Sequence, residues 1–342
     1  MTATEPGFSI RPLPDARFGG VIEIAAGVDA PERTEAAISA AEAAPDALLS
    51  AFYDVNGFLL LKGMHAITEH PDLLVRLSRL FGPEVEDYRQ TLTPVSDIHP
   101  EVPEILVVSN IPPVTKNVPD RPNPPLNPDG SLPVQFPHRR GWHTDQSYRR
   151  PPPDISLFYA EQPCPKGQGQ TLYADGIAAY DALDAAMQSR IADLDGLHVR
   201  LKTGRSEFAV RAGEPVRALE PHERAQRQPV VRTHPVTGRK ALYLCEAGQM
   251  DWVDGPLFGM EPGVDGAGAK LLYELMTHYT RPEFTYAHDW DAGDLVIYDN
   301  RSMIHAATWY DGAHEQRRMW RTTVHGNPGP LYDGEARSWM RA

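Results

Sequence analysis

The chain has 342 residues and a formal net charge of −13, an acidic balance that argues against nucleic acid, whose phosphates need clustered Lys and Arg. Its 41% hydrophobic content is enough for a sizeable core, yet no run approaches the ~18 apolar residues of a membrane span. Two cysteines, Cys164 and Cys245, make neither a ligand pattern nor a disulfide framework, and the start at Met1 lacks the basic and apolar regions of a signal peptide, so a cytoplasmic setting is expected.

In chain order, residues 1–32 read as an irregular arm with one apolar stretch, Val21-Ile22-Glu23-Ile24. Residues 33–55 read as an Ala-rich helix broken near Pro45. Phe58-Leu59-Leu60-Leu61 is a buried strand after Asn56-Gly57. A helix from about 71 to 81 follows: Pro71 suits its first turn, Asp72 the acidic bias of an N-terminus, and Leu73, Leu74, Leu77, Leu80 and Phe81 recur at helical spacing. Ile105-Leu106-Val107-Val108 is another buried strand. The stretch 112–137 then holds nine prolines and little apolar periodicity. A loop this long inside a domain is usually functional or disordered. An interdomain linker would have the same composition, but this one runs directly into Gly141–Tyr148, so we expect an active-site lid within a single domain spanning 1–342.

Gly141-Trp142-His143-Thr144-Asp145-Gln146-Ser147-Tyr148 reads as a short strand. Side chains i and i+2 share a strand face, so His143 and Asp145 point together and offer one divalent ion an imidazole and a carboxylate. With a second His they would make the facial triad that suits Fe(II) and leaves open positions. The pair alone carries little weight, because His70-Pro71-Asp72 and His99-Pro100-Glu101 have similar spacing and are ordinary helix-start and turn chemistry.

Further on, strands are expected at 156–160 and 171–174, a helix over 176–194, strands at 197–202, 229–233 and 241–245, a solvated Arg-rich excursion at 203–228, and a helix at 266–280. Strands near 284–290, 294–299 and 316–325 complete a mainly β chain with flanking helices, a pattern that suggests a sandwich or jelly roll. His305 follows a buried strand and a polar turn. Alone, it is more often a satisfied core residue than a ligand. On the last strand, alternation puts Arg317, Met319 and Arg321 on one face and Arg318 and Trp320 on the other. Two arginines flanking a Met, after a buried His, suggest carboxylate binding.

These segments together resemble the TauD/TfdA, or taurine dioxygenase-like, family of Fe(II)/2-oxoglutarate-dependent dioxygenases. The matching motifs are Trp142-His143-Thr144-Asp145, Gly169-Gln170-Thr171-Leu172-Tyr173-Ala174, Thr233-His234-Pro235-Val236-Thr237-Gly238, Tyr298-Asp299-Asn300-Arg301, His305, and the run from Arg317 to Thr322, in family order. The resemblance implies a double-stranded β-helix, the cupin-like jelly roll. It implies Fe(II) on His143, Asp145 and His305, the distal carboxylate of 2-oxoglutarate on Thr171 and Arg317, and an anion on Arg321. That anion is either the iron-bound end of the co-substrate or an acidic group of the substrate. The co-substrates would be 2-oxoglutarate and O2, and the products succinate, CO2 and a hydroxylated small molecule. An Asp at 145, where Ala or Gly would leave room for halide, favours hydroxylation.

The family pattern is broken at two places. Taurine-type members place a His where an ungapped reading puts Asp87, beside Tyr88, and an acid where this chain has His138 of His138-Arg139-Arg140. Taurine is therefore not the expected substrate. A substrate bearing a carboxylate or similar anion is expected instead, with Arg321, Asp87, Tyr88 and Gln146 as substrate-facing candidates. No nucleic-acid or membrane partner is expected, and a homo-oligomer is compatible with the sequence. A non-catalytic jelly-roll protein sensing iron or 2-oxoglutarate is the competing reading. A zinc hydrolase would share the ligands but would not need the paired arginines.

Overall fold

Alternation along the central strands sends their side chains to two different apolar layers, and the fold follows from that division. The computed structural model describes residues 7–24, 32–246 and 249–341. The strands in chain order are β1 (Phe8–Pro12), β2 (Gly20–Ile24), β3 (Phe58–Leu61), β4 (Glu84–Val85), β5 (Leu106–Ser109), β6 (Ile155–Gln162), β7 (Thr171–Asp175) and β8 (Asp195–His198). They continue as β9 (Gln226–Pro229), β10 (Val231–Thr233), β11 (Lys240–Leu242), β12 (Thr285–His288), β13 (Leu295–Asp299), β14 (Met303–Ala307) and β15 (Arg318–His325). The helices are α1 (Arg33–Ala43), α2 (Pro45–Asp54), α3 (Ala66–Glu69), α4 (Asp72–Ser78), α5 (Gly176–Asp181), α6 (Ala185–Ile191), α7 (Glu207–Arg211) and α8 (Ala267–Tyr279).

An 8-stranded sheet runs β1-β2-β3-β13-β6-β15-β4 with β5 also on β15, and a 3-stranded sheet runs β12-β7-β14. Phe158, Ala160, Val296, Tyr298 and Met319 of the large sheet share one apolar cluster with Tyr173 and Met303 of the small one. The alternate residues Leu157, Tyr159, Leu295, Ile297 and Trp320 join Ile38, Phe52, Leu74 and Leu77, from α1, α2 and α4, on the far side. In the small sheet Leu172, Ala174, Ile304 and Ala306 turn outward to Leu271, Leu272, Leu275 and Met276 of α8. By the same period of two, Thr171, His305 and Arg321 fall on the side shared with the inter-sheet cluster.

The expected helix and strand positions hold through most of the chain, with informative exceptions. The arm at 1–32 contains a β1–β2 antiparallel pair, and its residues 1–6 and 25–31 lie outside the described residues. The helix expected over 176–194 is two helices, because Asp184 caps a new start by accepting the Met187 N–H at 2.7 Å. The excursion at 203–228 contains α7, capped by Ser206, and the start of β9. Gly141–Tyr148 is not a strand. It makes one antiparallel bridge, at His143, and then turns, because Gly141 (φ +92°) and Gln146 (φ +48°) adopt left-handed backbone that a strand excludes. His305, expected after a turn, lies inside a strand of its own, β14. The Pro-rich stretch 112–137 carries no helix or strand but is tied down near its end. Gln135 Nε2 donates to Thr277 O at 2.7 Å and the Phe136 N–H to Thr280 Oγ1 at 2.7 Å. Among the described residues no helix is long and apolar enough to cross a membrane.

The turn after β13 is held by buried charge. Arg301, 1% exposed, donates to Asp299 at 2.8 and 2.6 Å and to Asn327 O at 2.9 Å. His234 Nε2 donates to Asp299 at 2.9 Å. Its Nδ1 accepts the Val236 and Thr237 N–H groups, each at 3.2 Å, which explains the Thr233–Gly238 motif as an anchor for this turn. Arg301→Ala should lower the unfolding free energy by about 3–5 kcal/mol, since it strips a buried carboxylate of its main partner. A denaturant midpoint unchanged from the parent would contradict this.

Candidate active site

His143 and His305 exchange both backbone hydrogen bonds, at 2.9 and 2.7 Å, as the hydrogen-bonded pair of an antiparallel bridge. The bridge brings their ring centroids to 4.3 Å. Asp145 joins them from the turn that follows, with its Oδ1 3.8 Å from His305 Nε2. One ligand atom from each of the three residues lies within 4.8 Å of the others. The two-residue step from His143 to Asp145 therefore brings both to one place through a bridge and a turn, whereas the sequence suggested a continuous strand. Between them Thr144 turns away, its hydroxyl donating to Asn300 O at 2.8 Å.

Two of the three candidate ligands, His143 and Asp145, are oriented from behind, whereas His305 Nδ1 has no hydrogen-bond partner among the described residues. His143 Nδ1–H donates to Gly141 O at 2.7 Å, which leaves Nε2 with its lone pair. Asp145 Oδ2 accepts from Ser156 Oγ at 2.9 Å and from the Tyr298 hydroxyl at 2.8 Å, and Asn300 Nδ2 donates to Ser156 Oγ at 2.8 Å. Burial pushes the His143 imidazole below its usual value, and burial with His143 alongside pushes His305 down to about 3. Both are thus neutral, the form that binds a metal. Burial alone would raise the Asp145 carboxyl, but the Arg321 guanidinium outweighs it and holds Asp145 ionised. Two neutral imidazoles and a carboxylate that converge in this way fit one divalent ion.

Arg317 is 5% exposed, and its Nε and Nη2 have no hydrogen-bond partner among the described residues. Burial pushes its guanidinium below the usual arginine range, against the opposing effect of Cys164, Tyr310 and Tyr173. Gly169 (φ +60°) allows this packing: a Cβ there would stand 3.3 Å from Arg317 Cδ and Nε. A buried cation without a counter-ion is costly, and its two free donors fit a carboxylate. Thr171 is buried on β7, its Oγ1 accepting from Trp290 Nε1 at 3.0 Å.

The other candidates divide. Arg321 ion-pairs with Asp145, which places it at the metal end. Tyr88 is fully buried, shares a hydrogen bond with Thr323 Oγ1 at 2.6 Å and stands beside the Arg321 guanidinium. Gln146 is 8% exposed next to Asp145, with its Oε1 unpartnered. Asp87 behaves as a surface turn residue: it caps Tyr88–Gln90 by accepting the Arg89 N–H at 2.9 Å and lies 3.4 Å from the Arg89 guanidinium. Among the described residues no hydrogen bond or ion pair joins it to the triad. His138 and Arg140 are likewise engaged elsewhere, at Asn123 O (2.7 Å) and at Glu207 and Glu246 (2.7 and 3.2 Å). Sequence reasoning missed Ser156 and Tyr298. Tyr298 was within reach of it, because alternation along β13 turns Tyr298 toward the small sheet.

Residues 11–323 match the sequence profile described as taurine catabolism dioxygenase TauD, TfdA family. The chain is 32% identical over 216 residues to (S)-phenoxypropionate/alpha-ketoglutarate-dioxygenase of Sphingobium herbicidovorans, covering 59% of this chain and 71% of that protein. It is 30% identical over 253 residues to pentalenolactone F synthase of Streptomyces arenae, covering 71% and 74%. Among solved structures, a taurine dioxygenase from Burkholderia xenovorans superposes with a TM-score of 0.63 at 23% identity, covering 98% of this chain and 96% of that one. AAD-2 in complex with Mn(II) and N-oxalylglycine superposes with a TM-score of 0.60 at 25% identity, covering 94% and 98%.

Proposed function

The chain belongs to the taurine catabolism dioxygenase TauD, TfdA family, and on that premise we propose that His143, Asp145 and His305 hold its Fe(II), that Thr171 and Arg317 receive the distal carboxylate of 2-oxoglutarate, and that Arg321 serves a second anion at the metal end. The protein is a 2-oxoglutarate-dependent dioxygenase, of a family that uses Fe(II), 2-oxoglutarate and O2. Bound iron and 2-oxoglutarate supply oxidative decarboxylation to succinate and CO2, coupled to hydroxylation of a small molecule.

The observation that carries the assignment is the convergence of the three ligand atoms within 4.8 Å. The protein's own part is positioning and screening. Gly141 O orients His143, and the Ser156–Tyr298 pair orients Asp145. Arg317, buried with its Nε and Nη2 unpartnered among the described residues, has two donors ready for a carboxylate. The loop 112–137 excludes water as a lid, anchored by Trp142, whose Nε1–H donates to Val134 O at 3.1 Å. Its Arg121 lies 4.0 Å over the Trp309 ring, in the segment that leads to Arg317. The fold is a double-stranded β-helix in one domain, a reading supported by the superposition on a taurine dioxygenase.

The substrate is a small molecule bearing an anionic group. Arg321 supports this, as do the phenoxypropionate and 2,4-dichlorophenoxyacetate in the names of relatives. A sensor without turnover has no supporting observation. The test is a panel of aryloxy acids and other carboxylates, scored by succinate under Fe(II), 2-oxoglutarate and O2. Oxygen-dependent succinate release stimulated by an anionic compound is expected. Arg321→Ala should raise the substrate KM by roughly tenfold or more, with a smaller change for 2-oxoglutarate. A best substrate that is neutral and wholly apolar would contradict the anionic-substrate reading.

A further inference from the structure

Tyr173 has no role in the chemistry described so far, yet its position is unusual. It is fully buried, and its hydroxyl has no hydrogen-bond partner among the described residues. The Thr171 hydroxyl lies beside it without reaching hydrogen-bond geometry. An unsatisfied buried hydroxyl costs about 1–3 kcal/mol, and a buried tyrosine normally finds a partner.

Its surroundings indicate what the missing partner is. Tyr173 is two residues from Thr171 on β7 and so shares its face. Across the ladder it stands directly opposite His305, the rings 6.0 Å apart and 30° from parallel. The charges of Asp145 and of Arg317 both act on the phenol. A molecule that reaches from the triad to Arg317 would therefore pass this hydroxyl. The neighbouring Tyr298, with its ring 5.3 Å away, is already engaged by Asp145.

We propose that the Tyr173 hydroxyl donates a hydrogen bond to the distal carboxylate of 2-oxoglutarate, and so acts with Arg317 and Thr171 in selecting a dicarboxylic oxo acid. The proposal rests on the reading of Arg317 as the carboxylate's main partner. An ionised carboxylate accepts at about four lone-pair sites. Arg317 offers Nε–H and Nη2–H, both unpartnered. Thr171 and Tyr173 add one O–H each, and the Trp290 bond into Thr171 Oγ1 leaves the Thr171 proton free to point at the ligand. The donor count then matches the acceptor count, and Tyr173 no longer stands as an unsatisfied buried group.

The experiment is an anaerobic titration of the Fe(II)-loaded protein, read by the visible charge-transfer band, with 2-oxoglutarate and separately with 2-oxovalerate, which lacks the distal carboxylate. Tyr173→Phe should weaken 2-oxoglutarate about tenfold, as expected for one charge-assisted hydrogen bond, and leave 2-oxovalerate unchanged. Its thermal midpoint without oxo acid should not fall, since only an unpartnered hydroxyl is removed. Equal weakening of both oxo acids, or no weakening of 2-oxoglutarate, would overturn the proposal. Arg317→Ala in the same assay separates the two levels. If it weakens 2-oxoglutarate while Tyr173→Phe does not, the role of Tyr173 alone is lost. If it too has no effect, the carboxylate subsite itself is misassigned.

Discussion

Asp145→Ala should reduce 2-oxoglutarate turnover by more than about a hundredfold, since groups that merely orient a metal ligand already contribute roughly 10- to 100-fold and Asp145 is itself a proposed ligand. The same substitution leaves Ser156 Oγ, the Tyr298 hydroxyl and the Arg321 guanidinium without their acceptor. A stability cost of about 3–5 kcal/mol is therefore expected for the stranded buried cation, and turnover must be compared at a temperature where circular dichroism shows the variant folded. Asp145→Asn separates the two effects. It keeps shape and a carbonyl acceptor while removing the charge, so it should recover part of the stability and little of the turnover. Wild-type turnover in Asp145→Ala would end the triad reading.

Arg317→Ala should weaken 2-oxoglutarate by roughly 30- to 1000-fold, the equivalent of about 2–4 kcal/mol for a charge-assisted bidentate contact. Its effect on stability should have the opposite sign. Arg317 Nε and Nη2 are buried without partners, so removing the guanidinium relieves a desolvated cation, and the thermal midpoint without ligand should hold or rise. A residue that only packed or paired within the fold would behave the other way, losing stability and leaving affinity untouched. Calorimetric titration of 2-oxoglutarate beside a melting curve reads both quantities on the same variant.

The parts of this site that could be read from the sequence are those fixed by local geometry. Alternation along β15 sorted Met319 from Trp320 into different apolar layers, as the structure has them, and the same period put Arg317 with Arg321. The His-x-Asp spacing picked out two of the proposed ligands, although a left-handed turn at Gln146 replaces the expected strand. What local geometry could not supply was what lies opposite. Nothing in the spacing of Ser156 or Tyr298 says that both hydroxyls meet one oxygen of Asp145, because β6 and β13 come together only through sheet pairing. By its own spacing His305 reads as an ordinary core histidine, and only the family resemblance marks it as a ligand; the pairing of β14 with β7 and the bridge to His143 are what bring it to the site. Asp87 was read as substrate-facing from its offset to Phe81-Gly82, but an Asp one residue ahead of a turn is a ready cap, and it caps Arg89. The Pro-rich segment could be recognised as a loop from composition, whereas its anchoring to Thr277 and Thr280 depends on α8, more than a hundred residues later.

We propose that His143, Asp145 and His305 form one metal centre with the oxo-acid site beside it. The most direct measurement is anaerobic addition of Fe(II) and 2-oxoglutarate, followed by visible absorption. The parent protein should develop the weak charge-transfer band of a chelated keto acid, and His143→Ala and His305→Ala should each abolish it. A full band in either variant, or none in the parent protein with both components saturating, would contradict the assignment.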